Sequence, residues 1–333
     1  MSGGVQLQVA IEKVDLAAPF RIAGFVFEHH EVILVTLQEG QYRGRGEASG
    51  VYYLGEDARK MRTTIEAHRS EIESGIDRDA LQSLLPPCSA RNALDCALWE
   101  LDAARSGQPV WALAGLPAPR PLVTTFTLSA DDPIVMVEGA KKYHHARSLK
   151  LKLTGELDLD IARVRAVRAA RPDLWLGVDA NQSYTIDRLE RLMAALVEAN
   201  VALVEQPLAR GKEADLQGFC APIAIAADES ALCLADLPVL AGRFNMVNIK
   251  LDKCGGLTEA LKMVCAAREL GLGVMVGNMV GTSLAMAPGF MLGQVCDVVD
   301  LDSPIFLKSD RKPGAVYCDG KIWCGEQVWG CPI

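Results

Sequence analysis

Residues 174–181 read LWLGVDAN, residues 202–207 read ALVEQP and residues 223–230 read IAIAADES. Each is a short apolar run that stops at an acid: Asp179, Glu205 or Asp228. A continuous apolar run of this length suits a strand buried on both faces, and such strands belong to parallel sheets. The same unit extends outward in both directions. Upstream it recurs at Leu122–Leu128 and Ser148–Leu153; downstream it recurs at Phe244–Lys250, Gly273–Val276 and Val298–Asp302. The strands return every ~21 to 29 residues, the length of one βα unit. Eight in a row predict a closed parallel barrel, and no Gly-x-Gly-x-x-Gly turn follows a strand to favour an open dinucleotide-binding sheet.

Outside this region the pattern changes. Val5–Val14, Val32–Leu37 and Arg43–Ala48 read as an antiparallel meander. Asp57–Ser74, Asp77–Leu85 and Asn92–Ala104 read as helices. The chain is thus an α/β protein whose residues 1–118 form an α+β domain and whose residues 119–310 form the barrel. Residues 311–333 contain short β-like runs such as Lys321–Cys324 and are expected to return to the N-terminal domain.

Composition narrows the function classes. The net charge is −8, from 34 basic and 42 acidic residues. Neither nucleic acid nor an anionic membrane is expected as a partner, since both need a basic face. No apolar run of about 18 residues predicts a membrane span, and the N-terminus does not read as a signal peptide. Ten cysteines form no Cys-x-x-Cys pair, so they read as free thiols in a reducing cytoplasm.

Reactive groups of a barrel lie at the C-terminal ends of its strands. Here those ends carry Lys150 and Lys152, then Asp179, Glu205 and Asp228, then Lys250, and finally Asp300 and Asp302. A lone aspartate after a strand is an ordinary helix cap. Carboxylates on three consecutive strands converge, and they repel one another unless a cation lies between them. Oxygen ligands without histidine suit a hard divalent ion, Mg²⁺ or in its place Mn²⁺, rather than zinc. Lys150 and Lys152 share the inward face of their strand, and Lys250 stands nearly opposite. A lysine ordinarily holds its proton to about pH 10.4, and a neighbouring ammonium lowers that value. A base on each face of a carboxylate's α-carbon is what 1,1-proton transfer through an enediolate requires.

The ordered set KLK (150–152), VDAN (178–181), VEQP (204–207), ADES (227–230) and NIKLDKCGG (248–256) resembles the enolase superfamily, muconate-lactonising subgroup, and within it the dipeptide epimerases. ARNALDCALWELD (90–102) is similar to the helix of that family's capping domain. The resemblance covers nearly the whole chain. It implies a (β/α)₇β TIM-like barrel under a capping domain built from both chain ends. It also implies one Mg²⁺ held by Asp179, Glu205 and Asp228, acid/base roles for Lys152 and Lys250, and Lys150 as the residue that tunes Lys152. Asp300 and Asp302 would hold a dipeptide's α-ammonium. Thr127, Asn278, Met279 and Val280 match pocket-lining positions. A homo-oligomer is compatible with the resemblance.

Two departures bear on specificity. The capping loop after Pro19-Phe20 often carries, in alanyl-glutamate epimerases, an arginine that pairs with the glutamate side chain; here Arg21 stands too early in the loop, and the matching positions are apolar, offering Phe25 and Phe27. This favours a neutral or hydrophobic residue in the substrate. The segment Val280-Gly281-Thr282-Ser283 has no acid, whereas many relatives carry one near the position of Gly281. The rival readings are an L-Ala-D/L-Glu epimerase proper and an o-succinylbenzoate synthase or cycloisomerase, which needs no ammonium site. Further removed are a Schiff-base aldolase using Lys250 and a non-catalytic metal-binding barrel.

Overall fold

The computed structural model describes residues 4–22 and 24–332. Strands β1 (Gln6–Ile22), β2 (Phe25–Glu39) and β3 (Tyr42–Ala48) form an antiparallel sheet. β1 and β2 are longer than the sequence pattern predicts. The expected capping loop is instead the tip of their hairpin, with pairing from Phe20↔Phe27 to Ile22↔Phe25. The register slips between Asp15 and Phe20, an irregularity that interrupts the ladder before the tip.

The helix Ser89–Ser106 lies directly on β3. That approach is why the strand reads RGRGEA: a Cβ on Gly46 would lie 1.9 Å from the Ala93 carbonyl oxygen, and one on Gly44 2.0 Å from that of Ala97. The expected helix Asp57–Ser74 breaks at His68 into Ala58–Ala67 and Arg69–Glu73.

β4 (Leu122–Val123) separates from β5 (Thr125–Leu128), so the predicted strand Leu122–Leu128 divides in two. β5 begins the parallel sheet, followed by β6 (Ser148–Lys152), β7 (Trp175–Asp179), β8 (Leu203–Glu205), β9 (Ala224–Ala227), β10 (Met246–Ile249), β11 (Gly273–Val276) and β12 (Val298–Val299). These eight strands neighbour one another in chain order, the topology of a βα barrel. The last strand is shorter than expected, although the Asp300 N–H still reaches the Val276 carbonyl at 2.9 Å.

The seam between β12 and β5 is closed by side chains. Thr124 Oγ1 accepts the Leu301 N–H at 2.9 Å, and Asp302 Oδ2 accepts the Thr127 N–H at 2.6 Å. The barrel floor is an apolar plug of Leu203, Ala226 and Met275, against which Trp175, Met246 and Val298 pack. Inward polar residues therefore collect at the opposite, C-terminal rim.

β13 (Val316–Cys318) and β14 (Lys321–Trp323) form a hairpin that pairs with β4. The same segment also reaches the N-terminal sheet. Arg311 bonds to Glu12 and Glu47 at 2.7 Å each, and the Trp329 indole N–H donates to the Arg45 carbonyl at 2.9 Å. No helix among the described residues is long and apolar enough to cross a membrane.

Candidate active site

Period two along β6 turns Lys150 and Lys152 inward at the rim, and the sheet register does the rest. Lys152 stands beside Asp179, and Asp179 stands beside Glu205. Asp228 follows β9 directly, and Lys250 follows β10. One carboxylate oxygen each from Asp179, Glu205 and Asp228 lie within 4.8 Å of one another, all buried. Burial and the Asp179 charge push Glu205 up to about 7. Three buried acids with no imidazole or thiolate among them suit a hard divalent cation.

The lysines are tied to these acids. Lys152 Nζ donates to Asp179 Oδ2 at 2.6 Å, and Lys250 Nζ to Asp228 Oδ2 at 2.5 Å. Lys150 Nζ donates to Glu205 Oε2 at 3.1 Å and to Asp300. Burial opposes the charge on Lys150, but Asp300, Glu205 and Asp179 outweigh it and hold this lysine well above its ordinary value. Lys150 is thus not depressed by its neighbour Lys152, because more carboxylates than ammonium groups face it. Burial likewise opposes the charge on Lys250, and Asp228 reverses the balance.

Asp300 and Asp302 are also buried. Asp300 accepts from Thr125 Oγ1 and Lys150, while Asp302 takes the Thr127 N–H described above. Burial, followed by the charge on Asp300, pushes Asp302 up to about 7. A cation placed beside it would favour its ionised form.

Lys152 and Lys250 line a common cavity with Asn278, Met279 and Val280. Thr127 lies outside it and lines a neighbouring cavity with Leu128, Ile305 and Phe306. Phe27 lines the cavity, stacked on His30 with ring centroids 5.0 Å apart. The side chain of Phe25 lies outside the described residues. A different aromatic of the hairpin, Phe20, lines the cavity together with Tyr52 and Tyr53. Burial pushes His30 down to about 4, so its ring is neutral near pH 7, and Ser49 Oγ lies 3.3 Å from its Nδ1.

Sequence reasoning did not assign roles to Lys253 or Asn248. Lys253 Nζ donates to Asp228 Oδ1 at 2.6 Å and to the Asn248 carbonyl at 2.9 Å; Asn248 Nδ2 donates to Glu205 Oε1 at 2.7 Å. Both residues belong to the NIKLDKCGG stretch, whose polar residues were the available signal. The glycine at 281 also finds a reason. A Cβ there would lie 2.9 Å from Ala285 Cβ and 3.4 Å from Glu47 Oε1. Glu47 is fully buried, accepts the Thr282 N–H and hydroxyl at 2.7 Å each, and pairs with Arg311.

Known proteins are similar to this chain over nearly its whole length. The family model for the mandelate racemase/muconate lactonizing enzyme N-terminal domain matches residues 5–115, and that for the enolase C-terminal domain-like family matches residues 135–309. The chain is 37% identical to an L-Ala-D/L-Glu epimerase of Escherichia coli, over 95% of this chain and 98% of that protein. Among solved structures it is similar to an enolase family member from Agrobacterium tumefaciens with homology to dipeptide epimerases, which holds sodium and L-Ala-L-Glu. The TM-score is 0.93 and the identity 39%, covering 98% of this chain and 100% of that one. A dipeptide epimerase from Methylococcus capsulatus, complexed with Mg and L-Arg-D-Lys, superposes with a TM-score of 0.90 at 29% identity, covering 96% of each chain.

Proposed function

Because the chain belongs to the mandelate racemase/muconate lactonizing enzyme family of the enolase superfamily, we propose that it is a dipeptide epimerase, an isomerase that inverts the α-carbon of the C-terminal residue of an L,L-dipeptide. The observation that carries this reading is Lys152 and Lys250, on opposite sides of the barrel, facing one cavity across the Asp179–Glu205–Asp228 cluster.

In this reading Lys152 or Lys250 removes the α-proton and the other returns one to the opposite face. Asp179, Glu205 and Asp228 would hold Mg²⁺, with Mn²⁺ as a substitute, and its charge would offset that developing on the substrate carboxylate. Lys150 adds a fixed positive charge beside Glu205. Asp300 and Asp302 receive the α-ammonium at the other end of the dipeptide. The distance between the two ends then selects a substrate of dipeptide length.

The cavity walls suit a neutral or hydrophobic side chain. They include Phe20, Phe27, Tyr52, Met279 and Val280, and His30 beside them is neutral. Among the described lining residues the only other cations are the two reacting lysines, so a glutamate side chain lacks a partner. The second reading, an L-Ala-D/L-Glu epimerase proper, is favoured by the similarity to the Escherichia coli enzyme.

The deciding experiment is proton NMR in D₂O with Mg²⁺ and a pool of L,L-dipeptides. Loss of the C-terminal α-proton signal with new diastereomer peaks is the expected result. Reaction of L-Ala-L-Glu alone would favour the second reading. Absence of exchange from every dipeptide would overturn both.

A further inference from the structure

Each acid of the cluster is followed within two residues by a polar side chain: Asp179 by Asn181, Glu205 by Gln206 and Asp228 by Glu229. Gln206 acts as a brace. Its Oε1 accepts the N–H of Asp228 at 2.8 Å and that of Ser230 at 3.1 Å, which fixes the backbone on both sides of Glu229. The Asn181 N–H donates to Asp179 Oδ1 at 2.9 Å, and Asn181 stands at φ 40°, in the left-handed region that asparagine tolerates. Asn181 and Glu229 then meet, with Nδ2 3.4 Å from Oε1.

Two oxygens are left over. Glu229 Oε2 and Asn181 Oδ1 are buried and accept from no donor among the described residues, although buried polar atoms are nearly always paired. Glu229 is only 1% exposed. Both residues line the cavity that Lys152, Asp228 and Lys250 also line.

We infer that Glu229 and Asn181 are positioning residues for the cation, and that together they accept the two hydrogens of a water completing the coordination of Mg²⁺. The inference rests on the Mg²⁺ reading of the Asp179–Glu205–Asp228 cluster. Mg²⁺ demands an octahedron and gives up its waters reluctantly, so three protein carboxylates and a substrate carboxylate leave a place for water. Such a water needs an acceptor for each hydrogen. The lysines of the rim cannot serve, since an ammonium only donates. The cluster's own oxygens are engaged: Asp179 Oδ2 accepts from Lys152, and the two oxygens of Asp228 accept from Lys250 and Lys253. A water held in this way fixes which places on the ion remain for the substrate carboxylate.

The test is calorimetric titration of Mg²⁺ into the metal-free full chain, without substrate and at one pH. Glu229→Leu removes one acceptor; Asn181→Gly removes the other without straining a left-handed position. Each should lower Mg²⁺ affinity by about 10- to 100-fold, the usual cost of losing a group that orients a metal's ligands. Glu229→Gln keeps an acceptor oxygen and should lose several-fold less than Glu229→Leu. Because one water is shared, the loss in the combined Asn181→Gly, Glu229→Leu variant should fall short of the product of the single losses. Unchanged affinity in both single variants would overturn the inference. Equal losses for Glu229→Gln and Glu229→Leu would overturn it in favour of charge alone, and a combined loss equal to the product would overturn the shared water. Absence of Mg²⁺ binding by the wild type would instead overturn the metal reading itself. Circular dichroism of the metal-free variants checks folding; if Glu229→Leu does not fold, Asn181→Gly decides.

Discussion

Lys253 and Asp228 form a buried ion pair, with Nζ 2.6 Å from Oδ1, on the carboxylate oxygen that Lys250 does not use. Burial opposes the charge on Asp228, but Lys250 and Lys253 together hold its carboxyl well below the usual range. Removing one partner of a buried pair typically costs about 3–5 kcal/mol. Lys253→Met should fall near the lower end of that range, since Asp228 keeps Lys250. Urea unfolding measures the loss, and titration calorimetry should show weaker Mg²⁺ binding.

Lys152→Ala and Lys250→Ala should each lower epimerisation by at least about 10³-fold, near the upper part of the range for general acid–base groups. Each variant retains one base, so exchange of the α-proton from a single enantiomer should survive in D₂O. Full epimerisation by Lys250→Ala would remove the two-base assignment.

Chelation with EDTA should abolish activity, and Mg²⁺ should restore it. Because Asp179, Glu205 and Asp228 repel one another, the cation should also raise the melting temperature by several degrees, a change that needs no substrate. Asp179→Asn should lose that thermal response. A response equal to that of the wild type would place the cation elsewhere.

His30 is depressed from 6.5 to about 4 by burial and then by the nearby His29. Between those values the unfolded chain binds the proton more readily than the folded one. Its contribution to stability is therefore complete above about pH 6.5 and is lost as pH falls toward 4. The total is about 3 kcal/mol at most. His30→Phe should flatten the stability profile between pH 4 and 6.5, followed by chemical denaturation at several pH values.

Gly281→Glu would drive a side chain against Ala285 and bring a second carboxylate to Glu47. Overpacking of this kind costs roughly 1–3 kcal/mol. The loss should be partly relieved by Glu47→Gln in the double variant. Equal losses with and without Glu47→Gln would mean that charge plays no part.

The rim of the barrel was legible because strand periodicity is local. Once Lys150, Lys152, Asp179 and Glu205 were placed at strand ends, the register brought them together. Of the N-terminal domain's share only Phe27 was legible. Phe20 lines the cavity just past a slip in the ladder after Asp15, and nothing in the alternation of residues marks where that slip falls. Tyr52, Tyr53 and His30 enter only through the docking of one domain on the other. At Gly281 the tight contact is with Ala285, four residues on, and Glu47, 234 positions away in the chain, comes only to ordinary contact distance. Lys253 belongs to the NIKLDKCGG stretch, but its direction depends on the short helix Leu251–Cys254 that follows β10.

Asp300 and Asp302 sit where the first and last strands of the barrel meet. Substitutions there would disturb closure of the fold and choice of substrate together, so few would survive selection for a new specificity. Phe20 and Phe27 lie on a hairpin outside the barrel. Divergence toward new substrates should accumulate on that hairpin, while the two aspartates stay unchanged as long as the barrel depends on them.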